Sequence, residues 1–190
     1  MEKERIILGI DPGTTIMGYG LLRVVGNSAE YIALGIIDLH TIRDPYLTLQ
    51  KIFKEVMALI ERYLPDELAI EAPFFAKNVQ SMLKLGRAQG VAITAALTHD
   101  IPIAEYAPLK IKMAITGNGR ASKEQVADML FRILNIPAGD LPKALDATDG
   151  LAAAYCHFLQ SYRPQEKVKY RSWKEFIGKN PDKVKKSHIH

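Results

Sequence analysis

Four acidic residues stand where ordinary surface charge is not expected. Asp11 ends the apolar run Ile6-Ile7-Leu8-Gly9-Ile10, and Glu71 ends Leu68-Ala69-Ile70. Asp146 and Asp149 lie in the small-residue stretch from Ala144 to Ala154. Their i, i+3 spacing puts both carboxylates on one face of a helix, about one turn apart. Carboxylates at the ends of core strands are costly to desolvate unless cations compensate them. A donor set of hard oxygens without His or Cys suits Mg2+ or Mn2+. Taken singly, each acid has a plainer role. Asp11 before Pro12-Gly13 serves equally as a turn residue. Glu71 would pair with a buried Lys or Arg, and Asp146 would cap a helix whose dipole favours Asp149 in its first turn. The four together are harder to explain by separate accidents.

The elements that must position these acids follow from periodicity. Arg5 to Asp11 reads as a buried strand bounded by Asp-Pro-Gly. Gly18 to Val25 and Tyr31 to Leu39 read as two more strands around the turn Gly26-Asn27-Ser28, an antiparallel meander. Leu49, Ile52, Phe53, Val56 and Ile60 mark an amphipathic helix after Asp44-Pro45. Glu67 to Glu71 is a short central strand, Val79 to Thr98 a helix and Ile101 to Tyr106 a fifth strand. Ser122 to Asn135 is a helix with Ser122 as N-cap and Gln125 at the capping-box position. Ala144 to Gln160 is the last helix. The pattern predicts an α/β fold, a mixed sheet with helices packed on it.

Composition bounds the rest. The chain has 190 residues, 48% of them hydrophobic, which suits one globular domain over residues 1–162. The net charge of +4 is concentrated in 163–190, a tail with nine Lys or Arg and three Asp or Glu. The first 162 residues carry sixteen basic and eighteen acidic groups. A near-neutral body with a basic tail fits a polyanion partner, although such tails are often only solvated. The single cysteine, Cys156, excludes an internal disulfide and a Cys-based zinc cluster, and its apolar surroundings predict a buried free thiol. No apolar stretch is long enough for a signal peptide or a membrane span, so a cytoplasmic protein is expected.

The segments GIDPGTTIMGYGLL, AIEAPFFAKNVQSMLKLGRAQGVA and DATDGLAAAYCH resemble the RuvC family of Holliday-junction resolvases, in order and spacing, from about Ile7 to His157. The resemblance implies an RNase H-like fold of the retroviral-integrase superfamily, with helices on both faces of the sheet. It also implies a homodimer, two Mg2+ ions per subunit replaceable by Mn2+, and paired nicks across four-way junction DNA during recombination and repair. Its usual partners are the junction-binding and branch-migration proteins of the Ruv system. Asp11, Glu71, Asp146 and Asp149 match its four catalytic, metal-holding carboxylates. RNase H-like geometry has Asp11 bridge two ions, with Glu71 on one and Asp149 with Asp146 on the other. Two ions about 3.5–4 Å apart activate a water and stabilise the leaving 3′ oxygen.

Lys112 and Lys123 match family lysines near the scissile phosphate. Lys123, at a helix N-terminus, would act on that phosphate or the attacking water, whereas a solvated surface lysine is the ordinary alternative. Phe74 and Phe75 match an aromatic pair of the family. One of them is expected to stack on an unpaired base and the other to pack in the core, since successive side chains alternate faces; Phe74, three residues beyond Glu71, is favoured for the stack, with Phe75 the alternative. His99 and His157 are read as structural rather than ligands. Trp173 and Phe176 in the tail would touch DNA or dock on the body. In the helix Val79 to Thr98, the residues Met82, Leu83, Leu85, Val91 and Ile93 would form part of a dimer contact, or pack on the chain's own sheet. Two departures from the family stand out: Pro73 directly after Ala72, and a tail without family pattern. Two rivals remain. One is a non-catalytic junction-binding protein retaining the fold. The other is an actin- or sugar-kinase-like ATPase, because Asp11-Pro12-Gly13-Thr14 also fits that phosphate motif, although that fold needs two such domains.

Overall fold

The computed structural model describes residues 4–73, 78–137, 139 and 145–162. Strands β1 (Glu4–Asp11), β2 (Ile16–Val25) and β3 (Ser28–Asp38) form the antiparallel meander, with β2 and β3 joined through Gly26 at a φ of 56°. Helix α1 (Pro45–Tyr63) starts on Asp44, whose side chain accepts the amides of Tyr46 and Leu47. Strand β4 (Glu67–Glu71) then pairs parallel to β1, and after α2 (Val79–Leu97) strand β5 (Ile103–Tyr106) pairs parallel to β4. The sheet order is β3-β2-β1-β4-β5, with the acid-bearing strands β1 and β4 side by side. Asp11 and Glu71 are therefore brought together by pairing alone.

Alternation along the strands separates two cores. Leu8, Ile10, Leu68 and Ile70 pack with Ile52, Val56 and Ile60 of α1 and the alanines of α2. Ile7 and Ala69 point the other way, into a core with α3 (Pro108–Thr116), α4 (Lys123–Ile133) and α5 (Asp146–Tyr162). Asp11 and Glu71 share the parity of Ile7 and Ala69, so their side chains leave the strand ends toward α5. Helix α3 is the element that periodicity did not reveal. It is nine residues long, begins with Pro108 in its first turn and stops on Gly117 at a φ of 72°. The signals were present in the Pro-to-Gly asymmetry and in Ile111 and Ile115, its buried pair. The capping box of α4 forms in full between Ser122 and Gln125.

Helix α5 lies against the sheet backbone to backbone. A Cβ added at Gly9 would stand 2.0 Å from the Gly150 carbonyl oxygen, and one at Gly20 would stand 2.4 Å from Leu151 Cα. Gly18 faces the Asp146 carbonyl in the same way, at 2.1 Å. Only glycines leave room for this approach, which fixes the height of Asp146 and Asp149 above β1. The far end of α5 is pinned by polar contacts. His157 Nε2 lies 2.8 Å from Glu67 Oε2, and its Nδ1 lies 2.6 Å from the Tyr106 hydroxyl. With Nε2–H donating to the carboxylate, Nδ1 accepts from the hydroxyl. Arg5 donates to Glu67 at 2.9 Å. His157 hydrogen bonding and the Arg5 charge together hold the Glu67 carboxyl below its usual range despite partial burial. His157 is thus a structural residue, and His99 is exposed just past the end of α2.

Candidate active site

At the carboxyl end of β1 and β4 the chain encloses a cavity of about 190 Å3 lined by Asp11, Glu71, Asp149, Lys112 and Lys123 over Ile111, Val126 and Ala152. Five elements build it. β1 and β4 carry the first two acids, α5 supplies Asp149, and α3 and α4 bring one lysine each. Gln89 of α2, unnoticed in the sequence, steadies the strand end from the other face. Its buried amide donates to the Glu71 carbonyl at 3.4 Å and to Glu105 at 3.0 Å.

The fourth acid stands at the rim. The Asp146 side chain is 43% exposed against 16% for Asp149, and Asp146 does not line the cavity. Lys123 ties the two together, donating to Asp146 Oδ1 at 3.1 Å and more closely to Asp149 Oδ2. Burial alone would lower the Lys123 pKa, but the hydrogen bonds and charges of Asp149 and Asp146 outweigh it and raise it. Phe74 and Phe75 lie outside the described residues, as does the 163–190 tail.

Electrostatics single out the innermost acids. Burial, then the charges of Asp149 and Asp146, push Asp11 up to about 7 against the pull of Lys123. Burial, then Asp11 and Asp149, push Glu71 up to about 8. Asp149 is raised as well, by burial first, with Lys123 opposing. Two lysines therefore do not offset the burial and like charge of the cavity, which favour the protonated form of its acids. Among the described residues no three carboxylates converge on one point as they stand; Lys123 occupies the position of counter-charge to Asp149 and Asp146. The donor set still fits a hard divalent cation, being all carboxylate, partly buried and short of positive charge.

Unfolded carboxylates lose their protons near pH 4, whereas Asp11 and Glu71 keep theirs to about 7 and about 8. The folded state binds more protons in that window, so stability without divalent ions falls as pH rises from 4 to 8. Between pH 5 and 8.5 in chelator, Tm is expected to drop by roughly 5–10 °C, with Mg2+ restoring most of it at the upper end. A Tm independent of both pH and Mg2+ would contradict the buried carboxylate cluster.

The chain matches the model of the family described as crossover junction endodeoxyribonuclease RuvC over residues 7–157. It is 70% identical over 183 residues to the Bacteroides fragilis protein named crossover junction endodeoxyribonuclease RuvC, covering 96% of this chain and 97% of that one. The Porphyromonas gingivalis protein of the same name is 59% identical, covering 96% and 98%. Among solved structures, Thermus thermophilus RuvC in complex with Holliday junction substrate superposes with a TM-score of 0.74 at 29% identity, over 83% of this chain and 95% of that one. The five-stranded mixed sheet flanked by helices is the RNase H-like α/β fold. The chain belongs to the RuvC family of crossover junction endodeoxyribonucleases.

Proposed function

We propose that this protein is a structure-selective endonuclease that resolves four-way DNA junctions by paired, symmetric nicks in recombination and repair. The observation that carries the reading is the convergence of Asp11, Glu71 and Asp149 with Lys112 and Lys123 around one cavity, in a chain of this family. Asp11, Glu71, Asp149 and the rim residue Asp146 would hold Mg2+, two ions per subunit with Mn2+ as a substitute. Bound there, the ions supply an activated water and charge stabilisation at the leaving 3′ oxygen. Asp11 and Glu71, which burial and neighbouring acids favour in the protonated form, would hold the metal as carboxylates. Lys123, freed from the acids, and Lys112 face the scissile phosphate and offset its charge. Phe74, three residues beyond Glu71, would stack on a base exposed where the junction opens, with Phe75 directed inward. The nuclease unit spans 1–162, and the basic 163–190 tail would add affinity for DNA.

A two-fold substrate calls for a two-fold enzyme, and α2 offers a contact for a homodimer. Val79 and Leu83 are 66% and 52% exposed, and a Cβ at Gly86 or Gly90 would meet no described atom within 4 Å. These four share one helix face at four- and three-residue spacing. Of the other residues predicted for the contact, Val91 and Ile93 pack partly on the chain's own core, and Met82 and Leu85 are half-buried. Leu83→Glu is expected to convert dimers to monomers in sedimentation and to turn paired nicks into single ones. A dimer unaffected by the buried charge would move the contact elsewhere.

In the cytoplasm the protein would receive its junction from junction-binding and branch-migration proteins of the Ruv system. No described helix is long and apolar enough to cross a membrane. The reading is tested by titrating a labelled four-way junction and a duplex of the same sequence over a range of salt. Binding should weaken linearly in log–log form with salt, and the junction should bind at least about tenfold tighter at physiological salt. Equal affinity for both would favour a generic nuclease.

A further inference from the structure

We propose that the cleft between the β1–β2 turn, the segment entering α1, and α2 is a seat for the phosphodiester backbone of a junction arm, apart from the cutting cavity. The proposal rests on the nuclease reading above. The cleft encloses about 410 Å3 and is lined by Thr14, Thr15, Arg43, Tyr46, Lys84 and Arg87 on an apolar floor, with no acidic residue in the lining. Its charge is uncompensated among the described residues. Arg5 and Arg23 each engage a carboxylate, whereas Arg43, Lys84 and Arg87 make no ion pair or hydrogen bond among the described residues. In a body with more acidic than basic groups, three cations without an ion pair among the described residues, set around one concave surface, call for an anionic occupant.

Position and chemistry make that occupant DNA. Thr14 follows Asp11 by three residues, so the cleft begins within about 10–11 Å of chain from the cutting site, about three steps of 3.4 Å along one strand. The cutting cavity opens on the α5 face of the sheet and this cleft on the α1–α2 face. A DNA arm crossing the carboxyl end of β1 would pass from one to the other. Guanidinium groups meet phosphate oxygens in pairs, and threonine hydroxyls donate to them singly. Tyr46, 76% exposed, presents a flat ring to a sugar or base without reading its edge. The seat would hold any sequence and fix the direction in which an arm leaves the junction.

The test is the full-length R43Q/K84Q/R87Q protein beside wild type and the charge-keeping R43K/K84R/R87K protein. Each is titrated with a four-way junction and a duplex in chelator over a range of salt, with sedimentation at the same concentrations. The neutral triple should lose more than about tenfold in affinity at physiological salt, and its slope should become shallower by roughly 2–3, at about 0.9 per phosphate contact removed. The charge-keeping triple should retain the wild-type slope. An unchanged slope and affinity in the neutral triple would overturn the proposal. Loss of affinity only in step with dissociation of the dimer would also overturn it, because the cleft would then be a subunit contact. Wild-type cleavage of the junction in Mg2+, scored separately, reports on the nuclease reading itself.

Discussion

Asp11→Asn is expected to lower junction nicking by about a thousandfold or more while leaving junction affinity within a few-fold of wild type. The substitution keeps the shape of the side chain and removes a charge from the cavity that Asp11, Glu71 and Asp149 line together. A loss of that size is about 4 kcal/mol of transition-state stabilisation, in keeping with Asp11 being one of the residues that would hold the catalytic metal. The cations expected to hold the DNA are untouched. The same change should stabilise the fold at high pH, because Asp11 is the leading charge holding Glu71 up. Junction cleavage, gel shift and thermal unfolding at pH 8 of one preparation check all three. Nicking at the wild-type rate would remove Asp11 from the mechanism. A fall in Tm would contradict the repulsion among the buried acids.

Gly150→Ala should damage both fold and cleavage, although alanine is the better helix former by about 1 kcal/mol. A Cβ at Gly150 would stand 2.5 Å from Tyr19 Cα and 2.7 Å from the neighbouring backbone carbon and nitrogen. Ordinary contact there needs about 1 Å more, and a strand backbone in the middle of a sheet cannot swing aside. Helix α5 would have to lift from β1 and β2, loosening the core around Leu151 and Ala154. Overpacking of this kind costs typically about 1–3 kcal/mol, which outweighs the gain in helix propensity. A net Tm loss of about 5 °C or more is expected. Asp149 and Asp146 ride on the displaced turn, and misplacement by 1 Å costs roughly a hundredfold in rate. Thermal unfolding and single-turnover cleavage test this together. A variant as stable and active as wild type would show that the helix does not sit as close as described.

Much of this arrangement was legible in the chain itself. β4 coincides with the predicted Glu67 to Glu71, and the pairing of β1 with β4 explains why two acids 60 residues apart share a cavity. The small-residue run around Gly150 implied close packing, and the glycines of β1 and β2 are its other half. Helix α3 was not legible from periodicity, since nine residues with two buried isoleucines give too short a period to separate from a loop, and only the Pro108-to-Gly117 asymmetry marks it. Equal standing for Asp146 and Asp149 also followed from spacing alone. Their difference arises because Asp149 faces β1 and β4 whereas Asp146, one turn earlier, reaches the edge. The embrace of both by Lys123 joins α4 to α5, a tertiary relation that no local pattern encodes. Met82, Leu83, Leu85, Val91 and Ile93 read alike as apolar, yet the fold turns only Leu83 fully outward.

The most direct test of the central claim is to map every nick on a synthetic four-way junction labelled in each strand in turn, with Mg2+ and with chelator. Two nicks are expected at symmetry-related positions on one pair of opposed strands, releasing ligatable duplexes. None is expected in chelator and none on a duplex of the same sequence. Nicks scattered over all four strands, equal cutting of the duplex, or cutting that survives the chelator would contradict that claim.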